Sequence, residues 1–204
     1  MALRLLPFRQ YDEQDVVNMF ALENDLALSS STDDGVGSNG VFVSISNGDF
    51  NQEVITYDGD GYLGKTNYPF VGSDMYPSNP LTVAAAADGE IPLGLTLNQT
   101  AKTDENGEKL LYNTTKKEEL QAVLPGQSVP IATKGIFTLS AAAYDGAMAV
   151  GTGIAISENA GKVTGAAPTD GTAFGTVIGT GSRADTNGGL TDQFGGDYII
   201  VKLG

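Results

Sequence analysis

Glycine limits what this chain can fold into more than any other feature. Its 27 glycines fall between short runs of β-branched and aromatic residues. Those runs recur at roughly the 8–12-residue spacing of a sandwich or barrel. Val41-Phe42-Val43-Ser44-Ile45 alternates toward Asn47-Gly48, a hairpin signal. Strands are likewise predicted at Pro92 to Leu97, Lys109 to Leu111, Gly135 to Leu139, Ile154 to Ile156, Gly161 to Thr164, Phe174 to Ile178 and Asp197 to Leu203. Val123 to Ala132 reads as an extended piece broken by a Pro125-Gly126 turn. The alanine run Ala84 to Ala87 would favour helix on its own, but Asp88-Gly89 ends it too early to propagate.

Helical signals are few. Asp12-Glu13-Gln14-Asp15 has the acidity of a helix start, whereas Val16-Val17 and Phe20 favour a strand. The reading is a strand, with MALRLLPFRQY before it as an extended arm. Lys116 to Leu120 fits a helical turn or a charged loop. Residues 29–40 are small, polar and glycine-rich, and 67–80 read as an ordered loop packed by its own prolines and aromatics. The expected fold is therefore mainly β: a small β-barrel or sandwich body with glycine-rich turns, an extended N-terminal arm and little helix. It divides into an arm with first strand (1–28), a hairpin and loop-rich region (29–90) and a barrel-like or sandwich domain (91–204).

Charge and missing residue types narrow the chemistry. Eleven Lys and Arg stand against 25 Asp and Glu, for a formal charge of -14. Such a surface repels nucleic acid and anionic membranes within a Debye length of about 10 Å at ~0.1 M salt. It suits a basic partner surface instead. There is no Cys and no His, which removes disulfides, thiolate nucleophiles, Cys-ligated metals, Ser-His-Asp triads and the commonest general base. Carboxylate pairs, Lys or Tyr chemistry and oxygen-ligated cations are what remain. No segment approaches the ~20 apolar residues of a membrane helix. The opening MALRLLPFRQYDEQD, broken by Pro7 and Arg9, lacks the apolar stretch of a signal peptide, so secretion is not expected.

The stretch GDGYLGKT, Gly59 to Thr66, fits the phosphate-loop pattern G-x-x-x-x-G-K-[ST] at every fixed position. A phosphate loop needs a helix starting at its Lys-Ser/Thr pair, so that backbone amides and the helix N-terminus face the phosphates. Here Asn67-Tyr68-Pro69 follows, and proline pushes the residue before it toward an extended conformation. Asp58 and Asp60 would face phosphate with like charge. The match is one of letters, and a turn at Asp58-Gly59-Asp60-Gly61 between strands is expected.

Asp58 with Asp60, and Asp104 with Asn106 and Glu108, place oxygens at alternate positions as calcium loops do. Neither has the D-x-[DN]-x-[DN]-G frame with its terminal Glu, so both read as acidic turns. A glycosidase needs two facing carboxyls, one with a raised pKa. Such a pair cannot be assembled from spacing, and aromatic platforms are sparse without Trp. No metal, cofactor or catalytic residue is expected.

The N-terminal arm is the suggestive segment. Leu3, Leu5, Leu6, Phe8 and Tyr11 are accompanied by Arg4 and Arg9 in an otherwise acidic chain. Two readings compete: a first strand tucked into the chain's own core, or an arm lying on a partner with apolar anchors and Arg–carboxylate pairs.

The stretch RLLPFRQYDEQDVVNMFAL resembles the start of small virion proteins of tailed bacteriophages. The succession LGLTL, VLPGQSVPIATKGIFTL, AVGTGIAISENAGKVTG and GTVIGT…GGDYIIVKLG is similar to phage capsid decoration, or cement, proteins. The likeness covers residues 3–22 and Pro92 to Gly204. It implies a non-enzymatic structural protein on the capsid exterior of a virion, made in the host cytoplasm. Members of that family are commonly homotrimers at local threefold axes, with an arm or loop contacting the major capsid protein. On this resemblance the partner-binding residues would be Leu3, Arg4, Leu5, Leu6, Phe8, Arg9 and Tyr11. A tail, neck or fibre component, or a carbohydrate-binding protein, is the alternative.

Overall fold

The computed structural model describes residues 4–23, 39–48, 81–100, 110, 112–124, 126–167, 171–183 and 195–204. The phosphate-loop look-alike, both candidate calcium turns, the strand expected at Lys109 to Leu111 (Leu110 excepted) and the loop at 67–80 lie outside them.

The fold is mainly β, as the glycine-punctuated runs predict. In chain order the strands are β1 (Leu5–Gln10), β2 (Val16–Val17), β3 (Ala21–Leu22), β4 (Phe42–Asn47), β5 (Thr82–Ala85), β6 (Gly94–Thr96), β7 (Gln99–Thr100) and β8 (Ala122–Val123). After them come β9 (Ile131–Ala132), β10 (Gly135–Ser140), β11 (Tyr144–Asp145), β12 (Gly153–Ile156), β13 (Val163–Ala166), β14 (Gly175–Arg183) and β15 (Gly196–Leu203). The α-helix among the described residues, α1, spans Thr114–Glu119. Asn113 caps it, its Oδ1 accepting the Lys116 amide at 3.1 Å.

Two sheets carry the body. One has seven strands in the order β1-β10-β15-β14-β12-β13-β11, the other six in the order β2-β9-β6-β4-β5-β3. Pairing is antiparallel except for β11–β13, β3–β5 and the separate β7–β8 ladder. Neither sheet closes on itself among the described residues. They face each other across a core to which the seven-stranded sheet gives Leu5, Phe137, Leu139, Ile154, Val177, Ile199 and Val201. The six-stranded sheet contributes Phe42, Leu95 and Ala132 to the same core. Its opposite face buries Leu22, Val43, Val83 and Ile131 in a second cluster. Where both faces are covered, as at Val41-Phe42-Val43, the chain reads as a continuous apolar run; farther along β4 the expected alternation leaves Ile45 50% exposed.

The chain crosses between the sheets along two adjacent segments. β1 pairs β10 in the seven-stranded sheet, and β2 pairs β9 in the six-stranded one. Together they form one antiparallel ribbon bent at a corner, the usual way strands switch sheets in a sandwich. The bend is held at Thr133, whose amide and hydroxyl both donate to the Asp15 carbonyl at 2.9 Å. Local sequence prepares it: the Asp12 carboxylate accepts the Gln14 amide, capping a 3-10 turn at Glu13–Asp15 before Val16-Val17 extends.

A second tie is the β12–β13 turn. Gly161 accepts from the Phe42 amide and donates to the Ala86 carbonyl, so this turn is hydrogen-bonded to the opposite sheet. A Cβ on Gly161 would collide with the Cγ1 of Val41, and its φ of +73° is left-handed. That close approach explains the alanines: Ala85 and Ala86 are buried beside the turn, and Ala84-Ala85 end β5, with no helix in the run.

Sheet membership ignores the divisions expected at 28/29 and 90/91. The six-stranded sheet takes β2 and β3 from the first stretch, β4 and β5 from the second, and β6 and β9 from the third.

Candidate functional site

The arm residues are the place to begin, because the structure separates them. β1 is an edge strand, paired among the described residues with β10 alone. Leu5 stands opposite Leu139 and Arg9 opposite Phe137, so residues 6–8 face the single residue Thr138. This is a bulge, and Pro7 lies at its centre. Proline has no amide to give a ladder and is confined within sheets to edges and bulges. A bulge bends its strand and re-aims side chains.

Arg4, Leu5 and Leu6 precede Pro7 and are buried, at 6%, 3% and 3% exposure. Leu5 enters the core between the sheets. The Arg4 carbonyl accepts the Ser140 amide at 2.9 Å, and the Leu5 amide donates to Asn39 Oδ1 at 3.3 Å. Tyr11, beyond the strand, is half-buried and stacks on Phe137, with centroids 5.8 Å apart and planes 19° from parallel. Phe8 is different: 72% of its surface is exposed, the largest value among the described large apolar side chains, and Arg9 beside it is exposed too. Leu3 lies outside the described residues.

The extended arm is therefore corrected to a sheet strand. Apolar side chains at Leu5 and Leu6 gain more from the chain's own core than from solvent, and β10 offers an open edge for their backbone. What remains for a partner is Phe8 and Arg9, set on a rigid bulge. Lys134, which precedes β10, and Lys202, near the end of β15, lie at the same end of the sheet as Arg9, since β1 and β15 both run antiparallel to β10. All three cations are exposed. The site is an exposed apolar side chain followed by an exposed Arg9, on a chain that is otherwise acidic.

Two other clusters were invisible in the sequence. Asp145 on β11 accepts from Ser157 Oγ at 2.5 Å and from Asn159 Nδ2 at 2.8 Å, while Lys162 Nζ lies 3.6 Å from its other oxygen. Burial pushes the Asp145 carboxyl up, but these two hydrogen bonds and the Lys162 charge outweigh it and hold the group below its usual range. Because Ser157 also accepts the Asn159 amide, the cluster reads as a knot tying β11 to the β12–β13 turn. The other is an open cleft of about 510 Å³ beside the β14–β15 ladder, lined by Tyr144, Met148, Thr180, Asp197 and Tyr198 among others. It carries one carboxylate, where glycoside hydrolysis takes two. Among the described residues, no group of three or more Asp or Glu is placed to hold a metal ion, and no helix is long and apolar enough to cross a membrane.

Comparison with protein-family models, with curated proteins and with solved structures returned no match for this chain.

Proposed function

We propose that this chain is a non-enzymatic structural protein that adheres to a large assembly through the Phe8–Arg9 bulge. The assembly, on the resemblance carried by residues 3–22 and 92–204, is the outer surface of a bacteriophage capsid, and the partner is its major capsid protein. The carrying observation is Phe8: an exposed phenylalanine held out by a proline-centred bulge on a strand whose preceding leucines anchor it in the core. Exposed aromatics beside Arg are the residue types that dominate protein interfaces.

Stabilisation then follows from linkage. A protein that binds assembled subunits and not separated ones shifts the equilibrium toward the shell. A homotrimer presents three bulges at once, so each contact can be modest. The bent ribbon suits this role, since force on Phe8 passes through β1 into both sheets.

The test is co-sedimentation of the full chain with phage heads stripped of accessory proteins, comparing wild type with Phe8→Asp after circular dichroism has shown the same fold. Wild type should pellet with the heads and Phe8→Asp should remain in the supernatant. Pelleting of both proteins, or of neither, overturns the reading; recovery with isolated tails and not heads replaces it with a tail or neck component.

A further inference from the structure

Ten of the described positions have a left-handed backbone, and nine of them are glycine; the tenth is Gln121, at a φ of +51°. Glycine takes this conformation at no steric cost, whereas a side chain there is strained. Gln121 follows Leu120, the C-cap of α1, at the position where helices most often end on glycine. The bond that closes the helix there, from the Gln121 amide to the Glu118 carbonyl at 3.1 Å, needs no side chain. A chain that places glycine 27 times elsewhere has kept a carboxamide at this point. Backbone strain of this kind clusters at functional sites, and Gln121 lines an open cleft of about 780 Å³.

The cleft lies between α1, the β7–β8 ladder and the turn that follows β8. The parallel register sets Gln99 with Ala122 and Thr100 with Val123, so the preceding residues, Asn98 and Gln121, stand at the same end of the ladder. Gln127 is in the turn, where its backbone amide donates to the Leu124 carbonyl at 3.0 Å and its Oε1 accepts the Leu124 amide at 3.2 Å. That second bond holds the carboxamide and leaves its Nε2 to donate. Asn98, Gln121 and Gln127 line the cleft together with the exposed Ser128. Lys117 and Glu118 belong to the lining too, 3.6 Å apart, and their charges cancel. The remaining described lining residues are aliphatic or glycine.

Each carboxamide offers both a donor and an acceptor, which is what a molecule covered with hydroxyls requires. An apolar ligand would bury these amides without partners. An anion would meet Glu118 on a chain of charge -14, and a cation would find that carboxylate already beside Lys117. We propose that this cleft binds a neutral saccharide, with the Asn98, Gln121 and Gln127 carboxamides taking its hydroxyls. This inference is independent of the capsid reading.

The intact protein, isotope-labelled so that its side-chain amides are visible by NMR, is titrated with maltotriose, with lactose, with chitotriose and with sialyllactose, the anionic form of lactose. A neutral saccharide among them should shift the Gln121 and Gln127 side-chain amide signals and saturate in the millimolar range. Gln121→Gly should raise the midpoint of urea denaturation, because its left-handed backbone is then unstrained. The same variant should weaken the saccharide about tenfold, on the order of one lost hydrogen bond. Gln121→Leu keeps the strain and loses the carboxamide, so it should weaken binding equally without raising the midpoint. No shift with any of the neutral saccharides, or an unchanged affinity in Gln121→Gly, overturns the proposal. So does a lowered midpoint in Gln121→Gly, which would make the side chain structural, or tighter binding of sialyllactose than of the neutral sugars.

Discussion

Replacing Leu5 by alanine and, separately, Phe8 by alanine sets the structural half of β1 against its exposed half. Leu5 is 3% exposed, sits in the core between the sheets and faces Leu139 across the ladder. Truncating a buried leucine to alanine costs about 2–5 kcal/mol, the spread reflecting how far the site collapses. β1 lies at an edge and can relax inward, which places the expected loss near the lower end, about 2.5 kcal/mol. In a domain of this size that corresponds to a fall in Tm of roughly 5–10 °C. Phe8 is 72% exposed, so it buries about a quarter of its side chain, and its removal should cost about 0.5 kcal/mol or less. Urea denaturation at constant pH, followed by circular dichroism and tyrosine fluorescence, measures both values, and an unchanged m-value shows that the comparison is of like states. The proposed function requires the inverse ranking in binding: Phe8→Ala should lose head affinity, while Leu5→Ala, assayed well below its own Tm, should retain it. A Leu5→Ala loss below about 1 kcal/mol, or a Phe8→Ala loss above it, would refute the division of β1 into core and display residues.

Thr100 is fully buried and its Oγ1 has no hydrogen-bond partner among the described residues; Thr100→Val removes that orphaned hydroxyl at nearly constant shape and should raise stability by about 1 kcal/mol. A lowered denaturation midpoint would show that the hydroxyl is satisfied. Gly161→Ala must resolve a collision with Val41 and hold a left-handed backbone, so a loss of about 2–5 kcal/mol is expected in the same assay; a loss under ~1 kcal/mol would mean the turn does not tie the sheets. Asp145 has a folded-state pKa below its unfolded value. Its contribution is therefore complete above about pH 4 and is lost as pH falls through the folded value. Asp145→Asn should destabilise at about pH 7, and the gap from wild type should shrink at about pH 3. A gap independent of pH would remove the charge from the explanation.

Most strands were readable because a short apolar run between glycines carries its own signal. β10, β12 and β15 fall where Gly135 to Leu139, Ile154 to Ile156 and Asp197 to Leu203 were expected. The competing signals at residues 12–22 were both correct on different scales, since the acidic cluster makes one capped 3-10 turn and the valines then extend. At Lys116 to Leu120, helix and charged loop were left open; α1 forms there, and the signal that decides it is the capping Asn113 just upstream. β11 was not anticipated. Two residues are too few for alternation, and Tyr144-Asp145 is extended only because β13 lies alongside in parallel.

The site was half legible, and the reason lies in how apolar residues are read. Leu5 and Leu6 look the same in sequence whether they are to be buried in their own core or in a partner, because burial is decided by β10, far away along the chain. The distinguishing residue was Pro7. A proline inside an apolar run, at a strand with no second neighbour among the described residues, forces a break in the ladder, and the residue after it leaves the register of those before it. Read that way, the arm separates into buried leucines on one side of the proline and a displayed Phe8-Arg9 pair on the other. The cleft beside the β14–β15 ladder gives no such local clue, since Tyr144 follows the 3-10 turn after β10 while Thr180 and Asp197 lie on β14 and β15, and only the folded chain brings them together. Glycine, so informative about turns, also misled there: Gly181 lies within β14, where it makes room for a ring on the next strand. In a chain this rich in glycine the residue therefore has two opposite uses, to end a strand or to bare its surface. Only the identity of the cross-strand neighbour says which of the two applies.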